Sequence, residues 1–379
     1  MSSASLRAFF VFLLIAGLIA LAGCGTNSVV CPTTSLNSCS CGNATSTACL
    51  GNEYVYAAGL NGQLTTFTVS PQTGALLSST SITGPQNSFG ITAMGALYVA
   101  EPVGVTGSSD IQAWSIDMST GGLTPLAGSP FLLEPFSIAG GLAANTRSVV
   151  IYVADAGKVD ALKADPMTGA LSPVAGSPFA AGINLFLAID PEDRYLVTSD
   201  GTPPGYVDSF TIDASTGVLT PAQGSPFAIN PAGSQPEQIA VDQTGNFVYV
   251  ALGMTNQIAA FQVEPSTGVL TPVPGSPFST GFGTLTLIAA GKFLYVPNVG
   301  ENSVSGYSID QTTGVLSPLS GSPFAIPGGS LTADPTGRFL YISGGPGMSA
   351  YSVDQTTGAL TQIGSPVVAQ PALALTFVP

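Results

Sequence analysis

Short runs rich in Val, Ile, Tyr, Phe and Thr, broken by Gly, Pro, Asn and Asp, fill the chain from Glu53 onward. In one stretch, Glu237 to Asp242 (EQIAVD), Phe247 to Leu252 (FVYVAL), Gln257 to Glu264 (QIAAFQVE) and Val269 to Pro274 (VLTPVP) predict four successive strands, a, b, c and d. Strands b and c are nearly continuous in apolar and small residues, as expected of sheets covered on both faces. The pattern explains a high hydropathy without a membrane-embedded fold.

The four-strand pattern recurs. A Thr-Gly or Gly-Gly-Leu turn places a glycine at Gly74, Gly121, Gly169, Gly217, Gly268, Gly314 and Gly358, at spacings of 47, 48, 48, 51, 46 and 44 residues. Seven units of four strands predict an all-β, seven-bladed β-propeller over residues 53–379. Five copies run on into Gly-Ser-Pro-Phe, at Gly128, Gly176, Gly224, Gly275 and Gly321. Strand d carries Pro125, Pro173, Pro221, Pro272 and Pro318. It is therefore the outer edge, where a missing N–H breaks no ladder bond. The final residues, Pro371 to Pro379 (PALALTFVP), read as a strand a with nothing after it, while the first unit begins directly at strand b. The tail is expected to supply the inner strand of blade one and close the ring.

Before the repeats lies an address. Ala8 to Gly23 is a run of sixteen almost wholly apolar residues after Arg7, short of the roughly 20 needed to cross a bilayer. It predicts a signal segment over 1–23. The Leu21-Ala22-Gly23-Cys24 run resembles the lipobox of bacterial lipoproteins, which implies lipidation of Cys24 and a membrane partner through that anchor. Gly25 leans the expectation toward the outer membrane, with the protein extracytoplasmic in the cell envelope. Residues 24–52 form a polar tether with Cys31, Cys39, Cys41 and Cys49. In an exported chain four thiols predict two disulfides, with three pairings open and a four-thiolate metal site as the competing reading.

Charge narrows the partners. Seven Lys+Arg stand against 21 Asp+Glu, a net charge of −14, so a nucleic-acid partner is not expected. Histidine is absent, which removes the usual proton shuttle and the commonest transition-metal ligand. No cofactor and no metal are expected, and the chain is expected to be a monomer. Acids before the Thr-Gly turn (Asp117, Asp165, Asp213, Glu264, Asp310 and Asp354) read as acceptors for turn N–H groups.

In a propeller the b-to-c loops and d-to-a crossings share one face, and here these segments differ between copies. Variable loops on a repeated frame are where binding normally resides. The candidate binding residues are Glu101, Asp110, Asp155, Lys158, Asn256, Asn298, Glu301 and Asn302. Glu237, Asp200 and Glu101 are the candidate catalytic acids, should packing bring them together.

The repeat, above all Phe293 to Asp310 (FLYVPNVGENSVSGYSID) followed by Thr313-Gly314-Val315-Leu316, resembles the YVTN-type propeller repeats. It is similar also to the lactonase family that includes 6-phosphogluconolactonases and carboxymuconate cyclases. The resemblance implies a Pro-Arg-His at the start of an inner strand and an Asn-Glu in the next b-to-c loop. The matching places here read Pro236-Glu237-Gln238 and Leu252-Gly253. The expectation is a lipid-anchored propeller that binds a protein or glycan through its variable face, without catalysis. The alternatives are a lactonase-like hydrolase of a neutral lactone and a structural cell-surface protein.

Overall fold

Alternate residues of one strand settle how the blades stack. In blade five, Phe247, Tyr249 and Ala251 pack with Leu294 and Val296 of blade six. Val248, Val250 and Leu252, between them, pack with Tyr195, Val197 and Val207 of blade four. The two-residue period sends successive side chains to opposite faces, so a single strand serves two blade interfaces. All of Phe247–Leu252 is buried. Each large apolar side chain enclosed this way contributes about 1.5 to 3 kcal/mol relative to exposure.

The computed structural model describes residues 52–379, apart from 103–108, 134–136, 184–185, 202–203, 231–233 and 346. The signal segment expected over 1–23, Cys24, and the cysteines Cys31, Cys39, Cys41 and Cys49 lie outside the described residues.

Seven antiparallel sheets form the propeller. Blade five runs Pro236–Val241 (a), Phe247–Leu252 (b), Gln257–Glu264 (c) and Val269–Pro272 (d), hydrogen-bonded in that order. Blade one is assembled from the first and last strands of the described residues. Ala372–Val378 is its strand a and pairs antiparallel with Glu53–Gly59, from Tyr54 opposite Val378 to Ala58 opposite Ala374. The ring closes as the sequence predicts.

Strand d departs from the expectation in one respect. In blade five it stops at Pro272, and Gly275-Ser276-Pro277-Phe278 loops out and comes back: Phe278–Ser279 pairs again with strand c, Phe278 opposite Ile258. Where the loop leaves the sheet, Ser276 Oγ accepts the Ala260 N–H at 2.9 Å, replacing the backbone acceptor that strand d has carried away. Ser129, Ser177, Ser225 and Ser322 do the same for Ala113, Ala161, Ser209 and Gly306, at 2.9 to 3.0 Å. A buried N–H needs such a partner, which is why the serine recurs with the loop.

The a-to-b and c-to-d turns share the face opposite the variable one. Asp310 Oδ1 accepts the N–H groups of Thr312 and Thr313, both at 2.9 Å. These bonds favour the ionised form and hold the Asp310 carboxyl below the usual carboxylate range; Asp165 and Asp354 are held low in the same way, and Asp117 and Asp213 chiefly by the hydroxyls of Ser119 and of Ser215 and Thr216. Asp190 and Asp334 pair with Arg194 and Arg338 across the a-to-b turns. The chain enters the propeller at Glu53 on this turn face.

Candidate functional site

On the variable face strand b ends directly opposite the start of strand c, and the candidate residues meet there. Glu101 stands against Asp110, Asp155 against Lys158, Asp200 against Tyr206, and Asn298 against Ser303. Most of these side chains turn into the blade rather than toward solvent. Asp155 Oδ1 accepts the Ile138 N–H at 2.5 Å, and its other oxygen lies 3.3 Å from Lys158 Nζ. Lys158 also lies 4.0 Å from Asp160. Asn298 accepts from Gly281 N–H and the Thr280 hydroxyl, both at 3.1 Å, and donates to Ser303 Oγ and Ser305 Oγ at 2.9 and 2.8 Å. Asn256 Oδ1 accepts from Gly283 N–H at 3.0 Å, and Glu101 accepts from Gln112 Nε2 at 2.8 Å.

Asp155, Asn256 and Asn298 act as struts that hold a d-to-a crossing against the end of strand b or the b-to-c turn. Asp208 belongs with them and escaped sequence reasoning. It accepts the Gly182 N–H at 3.1 Å beside the buried Asp200. Burial pushes the Asp208 carboxyl up, and Asp200 adds to the rise. Glu301 and Asn302 remain exposed at the tip of their turn.

Asp110 is the exception. It is 1% exposed, and neither carboxylate oxygen has a hydrogen-bond partner among the described residues. Burial, with Glu101 as a second cause, pushes its carboxyl up to about 6.

Residues at and just before the starts of the a strands converge on the channel and line a pocket of about 650 Å³, counted with its open mouth. Phe89, Phe186, Leu331 and Leu373 form its apolar wall; Gln238, Thr286 and Ser330 are its polar side chains. The polar three are linked from blade to blade. Gln238 Oε1 accepts from Leu287 N–H (3.2 Å), Thr286 donates to the Gly329 carbonyl (3.3 Å), and Ser330 donates to the Leu373 carbonyl (2.7 Å). The Gln238 amide keeps its two N–H donors, and the hydroxyls keep lone pairs. None of the pocket-lining residues is charged.

Glu237, Asp200 and Glu101 sit in blades five, four and two. Glu237 is half-buried at a bulge where strand a gains one residue on strand b, against Gly253. Burial alone raises its carboxyl, with no neighbouring charge contributing. Gln238, one residue on, occupies the place that the resemblance gives to a histidine, and it does so without charge. Around the mouth several large apolar side chains stand in solvent, among them Met254 (69% exposed) and Phe282 (62%).

The model of the lactonase family, seven-bladed β-propeller, matches residues 187–278 and 278–377. Solved structures of similar shape include a candidate 6-phosphogluconolactonase from Bacteroides uniformis, with 16% identity and a TM-score of 0.72 over 87% of this chain and all of that one. A second such candidate, from Bacteroides fragilis, has 18% identity and a TM-score of 0.70 over 87% and 98%. The periplasmic gluconolactonase of Pseudomonas aeruginosa has 19% identity and a TM-score of 0.67 over 86% and 99%. No curated protein matches the chain. At such identities the shared shape speaks for the fold, and the family match carries the membership. The chain belongs to the lactonase family of seven-bladed β-propellers.

Proposed function

We propose that the propeller binds an uncharged, hydroxyl-rich ligand such as a neutral glycan at the channel mouth, and holds it without hydrolysis. The observation that carries this reading is the character of the lining: aromatic faces at Phe89 and Phe186, an amide at Gln238, hydroxyls at Thr286 and Ser330, and no charge. Aromatic faces take the apolar side of a sugar ring, while amide and hydroxyl groups match its rim. A phosphorylated or carboxylated ligand would call for cations, and Lys158 is already engaged by Asp155 and Asp160. Lactone hydrolysis needs a base to activate water and donors for the developing oxyanion, and the pocket lining holds no titratable group. Titration calorimetry with a panel of neutral and anionic saccharides tests this. Binding of neutral members, weakened at least about tenfold by Gln238→Ala, supports it; binding confined to anionic members overturns it.

One observation favours a second reading. The raised carboxyl of Glu237 beside Gln238 has the character of a general base poised by burial. Under that reading the protein opens a neutral lactone, and turnover disappears in Glu237→Gln while binding persists.

We also infer lipidation at Cys24, which supports a place in the cell envelope. Incorporation of a labelled fatty acid, lost in Cys24→Ala, is the expected result.

A further inference from the structure

The outer edges of the seven blades are not equally guarded. In blades two to six the long run of strand d ends at a proline: Pro125, Pro173, Pro221, Pro272 or Pro318. Blade seven carries Pro366 and a register break within Leu360–Val368. Blade one has neither device. Its strand d, Leu76–Thr83 (LLSSTSIT), runs eight residues without proline or charge, and all but the first are exposed. Its only irregularity is a bulge at the start, which leaves Ser78–Thr83 in regular register with strand c. Alternate residues of such an edge present unpaired N–H and C=O groups outward, a template for another strand.

The charge map says what kind of strand fits. Strands c and d of blades one and seven, Gln63–Val69, Leu76–Thr83, Gly347–Val353 and Leu360–Val368, which build this outer flank, contain no Asp, Glu, Lys or Arg. The whole chain carries −14, so most pairs of surfaces on two copies repel. This flank sets no carboxylate against another. Leu77 and Val368 stand exposed on it, adding apolar area.

We propose that two copies of this chain associate through the Leu76–Thr83 edge, antiparallel about a two-fold axis, to form one continuous eight-stranded sheet. Such an interface is self-complementary: whichever residue the axis passes, the residues brought opposite are Ser, Thr, Leu or Ile. The proposal departs from the monomer expected from the sequence.

Sedimentation equilibrium of the full chain over micromolar concentrations, together with amide exchange, tests the proposal. The expected result is a concentration-dependent doubling of mass, with protection of 76–83 amides that rises with concentration. Ser79→Lys with Thr80→Lys should weaken association by about tenfold or more, while Thr220→Lys, on the guarded edge of blade four, leaves it unchanged. A monomer at all concentrations overturns the proposal, as does a dimer indifferent to the double lysine. Protection of the outward-facing amides of 76–83 in a monomer also overturns it, since the chain's own N-terminal segment would then cover the edge.

Discussion

The hydroxyl of Tyr249 donates to the carbonyl oxygen of Gly314, 2.9 Å away, across the boundary between blades five and six. The same bond joins Tyr56 to Gly121, Tyr98 to Gly169, Tyr152 to Gly217 and Tyr295 to Gly358. In blade four Val197 stands at the tyrosine's place, and Ser209 Oγ reaches Gly268 instead, at 2.6 Å. The acceptor must be glycine: Gly314 has φ +74°, and a Cβ there would run into the Phe247 ring. Blade seven breaks the series. The Tyr341 hydroxyl has no partner among the described residues, and its ring stacks on Phe377 of the closing strand, centroids 5.8 Å apart.

Tyr249→Phe and Tyr341→Phe should therefore differ. The first leaves a buried carbonyl without its donor and is expected to cost about 1 to 2 kcal/mol; the second removes an unpaired hydroxyl and should be close to neutral. Urea unfolding midpoints of the two variants check this, and equal losses would contradict it.

Asp110 makes stability depend on pH. Its carboxyl titrates near 6 in the folded chain against an ordinary 3.8, so the native state binds the proton more tightly than the unfolded state. The stabilisation is fully present below about 4 and is lost as pH rises through about 6. Asp110→Asn should raise stability at neutral pH by about 1 to 3 kcal/mol and flatten the profile over that window. Unfolding curves measured from acid to neutral pH give the answer.

How far the sequence is legible follows from what repeats. Seven turn glycines, the strand d prolines and the orphan strand at 371–379 define the propeller and its closure, because each has a backbone reason to recur. The site is less legible. Asp155, Lys158 and Asn298 stand at the correct end of their strands, yet a position beside a loop does not say that the side chain turns inward to hold a crossing. Asp208 follows by counting two residues along strand c from Tyr206, the period that returns a side chain to the same face. Gln238 is marked only by the resemblance, as an uncharged residue at the histidine's place, and Thr286 and Ser330, also uncharged, match no motif. Their signal is positional: each lies within two residues of the start of strand a in its own repeat.

Removing 371–379 takes the inner strand from blade one and leaves the edge of Glu53–Gly59 bare beside the channel. The truncated chain should lose a single cooperative transition and expose apolar surface to a hydrophobic dye, a far larger effect than trimming a free tail. A melting curve that matches the full chain would contradict closure by the tail.

Ser276→Ala should cost about 1 kcal/mol by leaving the Ala260 N–H without its acceptor. Ser225→Ala, in the neighbouring blade, serves a different N–H. The two losses should add to within about 0.5 kcal/mol, the behaviour of sites without shared partners. Chemical denaturation of the single and double variants measures it.

The central claim is that the channel mouth recognises a ligand by neutral contacts alone. Calorimetry with glucono-δ-lactone and its 6-phosphate, with ring opening followed in the same solutions, tests it most directly. The account predicts heat of binding for the neutral compound only, lost in Gln238→Ala, and ring opening no faster than in buffer. Tighter binding of the phosphorylated compound, or catalysed opening that vanishes in Glu237→Gln, would contradict it.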